Sequence, residues 1–302
     1  MKKILVIGSV NMDLTVFTDV IPKLGETVAG KSFSAQGGGK GANQAIAVAK
    51  LGGNVKFLGA VGNDENGKNL LENLKSNNVD FCGKVVENIS SGTAVITVCG
   101  GDNCIIITPG ANQCVTPQLV EENEHLFKEA DYVILQYEIP VEAIIKSAML
   151  AKEHNCKVVV NPAPYFDMPE DFYNYIDILV PNEHEAYEMT GIKIENRENC
   201  IEAINKIKHL GVKDVIITLG ENGCAYTVGE TVKFHDARPV TSVDSTAAGD
   251  TFIGAVCRCL SKNMSMEDAI GFATVASSIT VSRAGASCSI PYENEVKEIY
   301  KS

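Results

Sequence analysis

Two aspartates flank a run of small residues near the C-terminus, Asp244-Ser245-Thr246-Ala247-Ala248-Gly249-Asp250-Thr251-Phe252. An apolar helical pattern follows at once at Phe252, Ile253, Ala255, Val256, Cys259 and Leu260. The first turn of that helix offers unpaired N–H groups at its positive end, which suits an anion. Gly249 permits a ligand to approach the backbone there. An acidic side chain at Asp250, inside an anion site, is an odd local choice unless it has a proton to remove. The plain alternative is a helix cap.

A second cluster, Gln36-Gly37-Gly38-Gly39-Lys40-Gly41-Ala42-Asn43-Gln44-Ala45, runs into a helix of Ala, Ile, Val and Leu. It combines close backbone approach with one cation and paired amide donors and acceptors. It matches neither a P-loop nor a dinucleotide fingerprint placed directly after the first strand. Asn11 and Asp13 follow that strand and share a side if extended. A carboxylate beside an amide suits a neutral polyol, and an Asx-turn is the alternative. Asn182 and Glu185 are spaced as in a capping box, or they face a phosphate-bound Mg²⁺ through water. The turn Thr218-Leu219-Gly220-Glu221-Asn222-Gly223 suits a nucleotide's phosphates or ribose, or is a hairpin loop.

These residues need a scaffold. Apolar runs at 4–7, 133–135, 158–160, 178–180 and 215–218 read as strands buried on both faces. Helical periods lie at 41–51, 67–77, 118–129, 141–153, 198–210, 250–261 and 266–282. The alternation predicts an α/β fold, a mainly parallel central sheet with helices on both faces. Residues 13–36 and 92–108 break the rhythm. The second stretch reads as a hairpin turning at Gly100-Gly101-Asp102-Asn103. Both faces of its first strand are apolar, which predicts a small projecting β-sheet covered on its second face, a lid or a dimer contact. The length allows one large α/β domain or two smaller ones; we expect a single catalytic domain over residues 1–302, with the lid contributed by about 13–36 and 92–108.

The 302 residues carry a net charge of −12, which argues against a nucleic-acid surface. The N-terminal apolar run is too short for a signal peptide or a membrane span. Ten cysteines without a CxxC pair argue against zinc and for free core thiols in a reducing cytoplasm.

Taken together, Gly8-Ser-Val-Asn-Met-Asp13, Gly38-Gly-Lys-Gly-Ala-Asn-Gln-Ala45 and Asp244-Ser-Thr-Ala-Ala-Gly-Asp250-Thr-Phe252 resemble the ribokinase family of carbohydrate and nucleoside kinases. The similarity spans Lys3 to about Pro291, and the Ala-Asn-Gln lies closer to the ribokinase branch than to the sugar-phosphate or nucleoside branches. The resemblance implies ATP-dependent phosphorylation of D-ribose at O5. It implies sugar contacts at Asn11, Asp13, Gly39, Lys40, Asn43 and Glu138, with Asp250 as catalytic base and Ala247, Ala248 and Gly249 as anion hole. ATP contacts are implied at Asn182, Glu185, Thr218, Gly220, Gly223, Gly249 and Thr274. A monovalent cation, usually K⁺, is implied at Asp244, Thr246, Thr280, Arg283, Gly285 and Ser289, and Mg²⁺ on the phosphates. A homodimer through the lid sheet follows by the same analogy. Gly37 is an extra glycine, Ser245 stands where many relatives have Thr, and Thr274 stands where some have His or Asn near the adenine. Related kinases of deoxyribose, fructose or a nucleoside, and a silent sugar-binding regulator, are the alternatives.

Overall fold

The computed structural model describes residues 2–100 and 102–300, Asp102 through its backbone alone. In chain order the elements are β1 (Lys3–Ile7), β2 (Asn11–Thr18), β3 (Ser32–Gly38), α1 (Lys40–Lys50), β4 (Asn54–Leu58), β5 (Ala60–Gly62), α2 (Glu65–Ser76), β6 (Asp80–Phe81), β7 (Lys84–Val86), β8 (Gly92–Cys99) and β9 (Asp102–Thr108). Then come α3 (Pro117–Glu122), α4 (His125–Glu129), β10 (Tyr132–Gln136), α5 (Val141–Glu153), β11 (Lys157–Asn161), β12 (Ile178–Leu179), α6 (Glu183–Thr190) and α7 (Arg197–His209). The chain closes with β13 (Asp214–Thr218), β14 (Cys224–Val228), β15 (Thr231–His235), α8 (Ala248–Ser261), α9 (Met266–Val281) and α10 (Glu293–Tyr300).

The main sheet has the order β15-β14-β13-β12-β11-β10-β1-β4-β6. It is parallel from β6 to β13, and β14 and β15 add on antiparallel. Its strands are apolar throughout because both faces are covered. In β1, Ile4 and Val6 enter one core with residues of α1, α8 and α9, while Leu5 and Ile7 enter the other with residues of α3, α4, α5 and α7. The strand order reverses between β1 and β10, so the carboxyl ends of the strands open a crevice there.

The predicted strands and most predicted helices are present, with instructive exceptions. The single helix expected over 118–129 is two, because the Asn123 side chain donates to Leu119 O at 2.8 Å and closes α3. The antiparallel pair β14–β15 and helix α10 were not foreseen.

A separate sheet, β3-β2-β8-β9, contains both irregular stretches. Its hairpin pairs from Thr93↔Thr108 to Cys99↔Asp102, so Asp102 and Asn103 lie in β9 and not in the turn as expected. A shorter connection fits the strand twist better. Gly100 has φ 62°, and Gly101 lies outside the described residues. The expected cover on this sheet is missing within one chain: Phe33, Ile105 and Ile106 are 64%, 51% and 70% exposed. The cysteines are all free; five of them (Cys156, Cys200, Cys224, Cys257 and Cys259) are buried, whereas Cys104 and Cys288 are exposed.

Candidate active site

Asp250 sits in the first turn of α8 and caps nothing. Its carboxylate instead accepts hydrogen bonds from Asn43 Nδ2 at 3.0 Å and Gln44 Nε2 at 2.9 Å. Both donors come from α1, so the two glycine-bearing motifs meet here. Burial pushes the Asp250 carboxyl above its ordinary range, and Lys40, Gln44 and Asn43 pull it back in part. A carboxylate held by donors and short of water is suited to accept a proton.

The turn before α8 is shaped for an anion. Ala247 takes φ 60°, a left-handed conformation that costs a non-glycine residue on the order of 1–3 kcal/mol. Strain of that kind persists where the local geometry serves a function. The N–H groups of Ala247, Gly249 and Asp250 make no backbone hydrogen bond, whereas Ala248 N donates to Ser245 O at 3.2 Å. Of the N–H groups expected to form an anion hole over 247–249, those of 247 and 249 are free, as is that of 250. A Cβ on Gly249 would meet nothing within 4 Å, so the backbone there faces open space.

That space is a cleft of about 1050 Å³. Asn182, Thr218, Gly220, Gly223, Gly249 and Thr274 line it, as expected for nucleotide contacts, together with Ala248, Phe252 and Ser277. The turn 218–223 is at once a hairpin connection between β13 and β14 and a wall of the cleft. Glu185 does not line it. It completes a capping box: its carboxylate accepts from Asn182 N at 2.8 Å and from Asn182 Nδ2 at 3.0 Å, and its own N–H donates to Asn182 Oδ1. Asn182 thus fronts the cleft and Glu185 orients it from behind. The Asn182 and Glu185 side chains carry oxygen donors of the kind a hydrated Mg²⁺ takes.

A cluster of buried charged side chains surrounds Asp250 at the root of the lid sheet. Asp13 on β2 feels the charges of Glu138 and Asp250, and Lys40 on α1 feels those of Asp250, Glu138 and Glu185. Burial, with Glu138 and Asp250 nearby, pushes the Asp13 carboxyl up to about 7. Burial likewise raises Glu138, against the opposing pull of Lys40. Glu138 accepts from Lys40 N at 3.1 Å and from Ser9 Oγ. Lys40 is pushed down by burial, but Asp250, Glu138 and Glu185 outweigh that and hold it protonated. Gly39 has φ 88°, and a Cβ there would lie 2.8 Å from Asn11 N. The Asn43 Oδ1 atom is buried without a partner, an acceptor awaiting a donor.

The six residues expected at a cation site converge less uniformly. Asp244 accepts from Thr246 N and Gly285 N, both at 2.9 Å, and its own N–H donates to Val281 O. Burial raises the Asp244 carboxyl, but these donors prevail and hold it below its usual range. Thr280 and Arg283 close α9, with Arg283 N on Thr280 O. Ser289 lies farther along the loop, its hydroxyl on Ala286 O at 2.7 Å. One carboxylate with hydroxyl and carbonyl oxygens is a donor set that fits a weakly hydrated monovalent cation.

The sequence pattern of the pfkB family carbohydrate kinases matches residues 1–292. The chain belongs to that family. This pfkB-family chain is 38% identical to a ribokinase of Staphylococcus aureus over 99% of both chains, and 40% identical to one of Lactococcus lactis over 98% of this chain and 96% of that one. Among solved structures, it superposes on Arabidopsis thaliana ribokinase, determined with ribose and ATP, with a TM-score of 0.94 at 34% identity, covering 100% of this chain and 99% of that one. It superposes on Thermotoga maritima ribokinase with a TM-score of 0.91 at 36% identity over the full length of both.

Some members of this pfkB-family site escaped the reading of the sequence. Asn112, between the lid and α3, donates to Asn11 Oδ1 at 2.7 Å and accepts from Val10 N at 3.0 Å. That leaves the Asn11 amide NH₂ as the free end. Gln136 and Asn161 extend the polar network behind Asp250. A signal for the last two was present: each is the polar last residue of an apolar parallel strand, where ligands in such folds bind.

Proposed function

We propose that this chain transfers the γ-phosphoryl group of ATP to O5 of D-ribose, giving D-ribose 5-phosphate and ADP, with Asp250 as general base. The carrying observation is the position of Asp250. It directly follows Ala248 and Gly249, which line the cleft, while its carboxylate accepts from Asn43 and its charge is felt by Asp13 and Glu138 on the lid side. The ribokinase names of the relatives, and the ribose and ATP of the Arabidopsis structure, support the same assignment of the two sides.

In this reading Asn11, Asp13, Gly39, Lys40, Asn43 and Glu138 hold the sugar hydroxyls. Asp13 and Glu138 accept hydrogen bonds from vicinal hydroxyls, and Asn43 Oδ1 gains its missing donor. O5 then points at Asp250, which takes its proton as the oxygen attacks in line. The free N–H groups at 247, 249 and 250 hold the charge that grows on the transferring oxygens. The Lys40 ammonium adds a positive charge beside Asp250 and Glu138. Asn182, oriented by Glu185, would face a phosphate-bound Mg²⁺ through water, and that ion would supply charge neutralisation. Asp244, Thr246, Thr280, Arg283, Gly285 and Ser289 would hold a K⁺ ion, which would steady the 244–250 turn. Asn11, Asp13 and Gly38 sit at the root of the lid sheet, so lid closure and sugar capture are one movement that excludes water.

The exposed apolar strip on the lid, with Phe33 and Ile106, serves in this reading as a homodimer contact. Residues 1–302 form one catalytic unit, and free thiols suit the cytoplasm. A coupled ADP-release assay across ribose, deoxyribose, fructose and adenosine tests the substrate. The largest kcat/KM belongs to ribose, and a clear preference for any other acceptor rejects the assignment.

A further inference from the structure

Behind Asp250 runs a chain of buried amides whose direction is set by an atom that cannot turn over. The backbone carbonyl of Val180 accepts from Asn161 Nδ2 at 3.1 Å. Asn161 must therefore present Oδ1 to its other neighbour, and Gln44 Nε2 meets it at 3.2 Å. The same Nε2 gives its second proton to Asp250 Oδ1 at 2.9 Å. Gln44 Oε1 is then left to accept, and Gln136 Nε2 donates to it at 2.7 Å. Gln44 and Gln136 are fully buried. A side chain at Gly8 would collide with Gln136, so the glycine of the first strand's end makes room for this network.

We propose that Gln44 is the positioning residue of the Asp250 carboxylate. The inference rests on Asp250 being the base. Asn43 also donates to Asp250, but its own Oδ1 has no partner, so that amide is held at one end only. Gln44 is held through Nε2 by Asn161, which Val180 O orients, and by Asp250, while its Oε1 accepts from Gln136, whose own Oε1 has no partner. Reversing Gln44 would set its oxygen against both Asn161 Oδ1 and the Asp250 carboxylate. The base therefore always meets a donor on Oδ1, while Oδ2 accepts from Asn43. The charged groups that also face Asp250 are Lys40 on α1, Asp13 on β2 and Glu138 after β10.

The test compares Gln44→Leu, Gln44→Glu and Asp250→Asn for kcat, ribose KM and the pH profile of kcat, with thermal melting as the check on folding. Gln44→Leu removes the donor, so kcat falls about 10- to 100-fold, within the share of a general base. Ribose KM stays within about 2-fold, since positioning acts on the reacting group and not on uniform binding. The acid limb of the profile moves up, by about one unit, because a carboxylate that loses a donor is protonated more readily. Gln44→Glu keeps the packing and the bond from Gln136 and moves the limb further. Adding Gln44→Leu to Asp250→Asn costs nothing more. A folded Gln44→Leu with near-normal kcat and an unmoved limb overturns the proposal, as does a rise in KM alone. If Gln44→Leu does not fold, Gln44→Glu decides by the same criteria. Wild-type turnover in Asp250→Asn defeats the base assignment and this inference together, whereas an impaired Asp250→Asn beside an intact Gln44→Leu defeats only the inference.

Discussion

Asn43 Nδ2 lies 3.0 Å from Asp250 Oδ2, across 207 residues of sequence. This contact ties the helix that follows the glycine-rich cluster to the first turn of α8, and it places the sugar side and the phosphate side of the site against one carboxylate. Asn43→Ala removes both that donor and the unpartnered acceptor beside it. Losing such hydrogen bonds in a dry site costs about 1–3 kcal/mol, so kcat/KM for ribose should fall roughly 10-fold or more. Steady-state kinetics check this, and an unchanged kcat/KM removes Asn43 from the sugar site.

Asp13 makes the pocket sensitive to pH. Its carboxyl is raised from 3.8 to about 7 by burial and by the nearby charges of Glu138 and Asp250. The native state therefore holds a proton that the unfolded chain has released. The stabilisation is full below pH 4 and is lost as pH rises toward 7. Asp13→Asn, which never ionises, should melt higher than the wild type at pH 8, and the gap should close toward pH 4. Ribose affinity should show the opposite trend in the wild type, rising as Asp13 ionises and becomes a pure acceptor. Melting curves and calorimetry across pH 4–8 decide both; a pH-independent gap between the two proteins contradicts the assignment.

The architecture was legible where patterning is strong. The runs at 4–7, 133–135, 158–160 and 215–218 are doubly buried strands, and their apolar continuity has no other economical explanation. Strand β4 (Asn-Val-Lys-Phe-Leu) was missed because Lys56 interrupts the run, and helix α10 because its polar face dominates so short a segment. The site was legible in its motifs and not in its supports. Asn112, Gln136 and Asn161 are single polar residues whose roles depend on partners 19 to 117 residues away. The capping box at Asn182 and Glu185 was one of two readings; the geometry gives the cap and still leaves Asn182 facing the cleft.

The loop between α9 and α10 bears on the proposed cation site. Asp244 bonds Gly285 N, and Ser287 Oγ donates to Gly37 O at 3.1 Å, so the loop links the turn before α8 to the lid strand β3. A packing reason for the extra glycine also follows: a Cβ on Gly37 would lie 2.6 Å from Asn73 Nδ2. Replacing K⁺ with Li⁺ should lower kcat, and K⁺ alone should raise the melting temperature by binding the native state. Equal turnover and equal melting in K⁺, Na⁺ and Li⁺ would refute a selective site.

Ile106 on the lid is 70% exposed and Phe33 is 64% exposed. A patch of that kind suits a partner, and the proposed partner is a second copy of the chain. The protein should sediment as a dimer, and Ile106→Lys should shift it to monomer and raise ribose KM through a looser lid. A monomeric wild type at micromolar concentration contradicts this.

Asp250→Asn gives the most direct test of the whole account. Ribose-dependent ADP release should drop about 10²–10⁴-fold, the usual share of a general base, while calorimetry on the same variant finds ribose bound with nearly normal affinity. Turnover comparable to the wild type would show that another group takes the proton, and the mechanism derived from this site would fall.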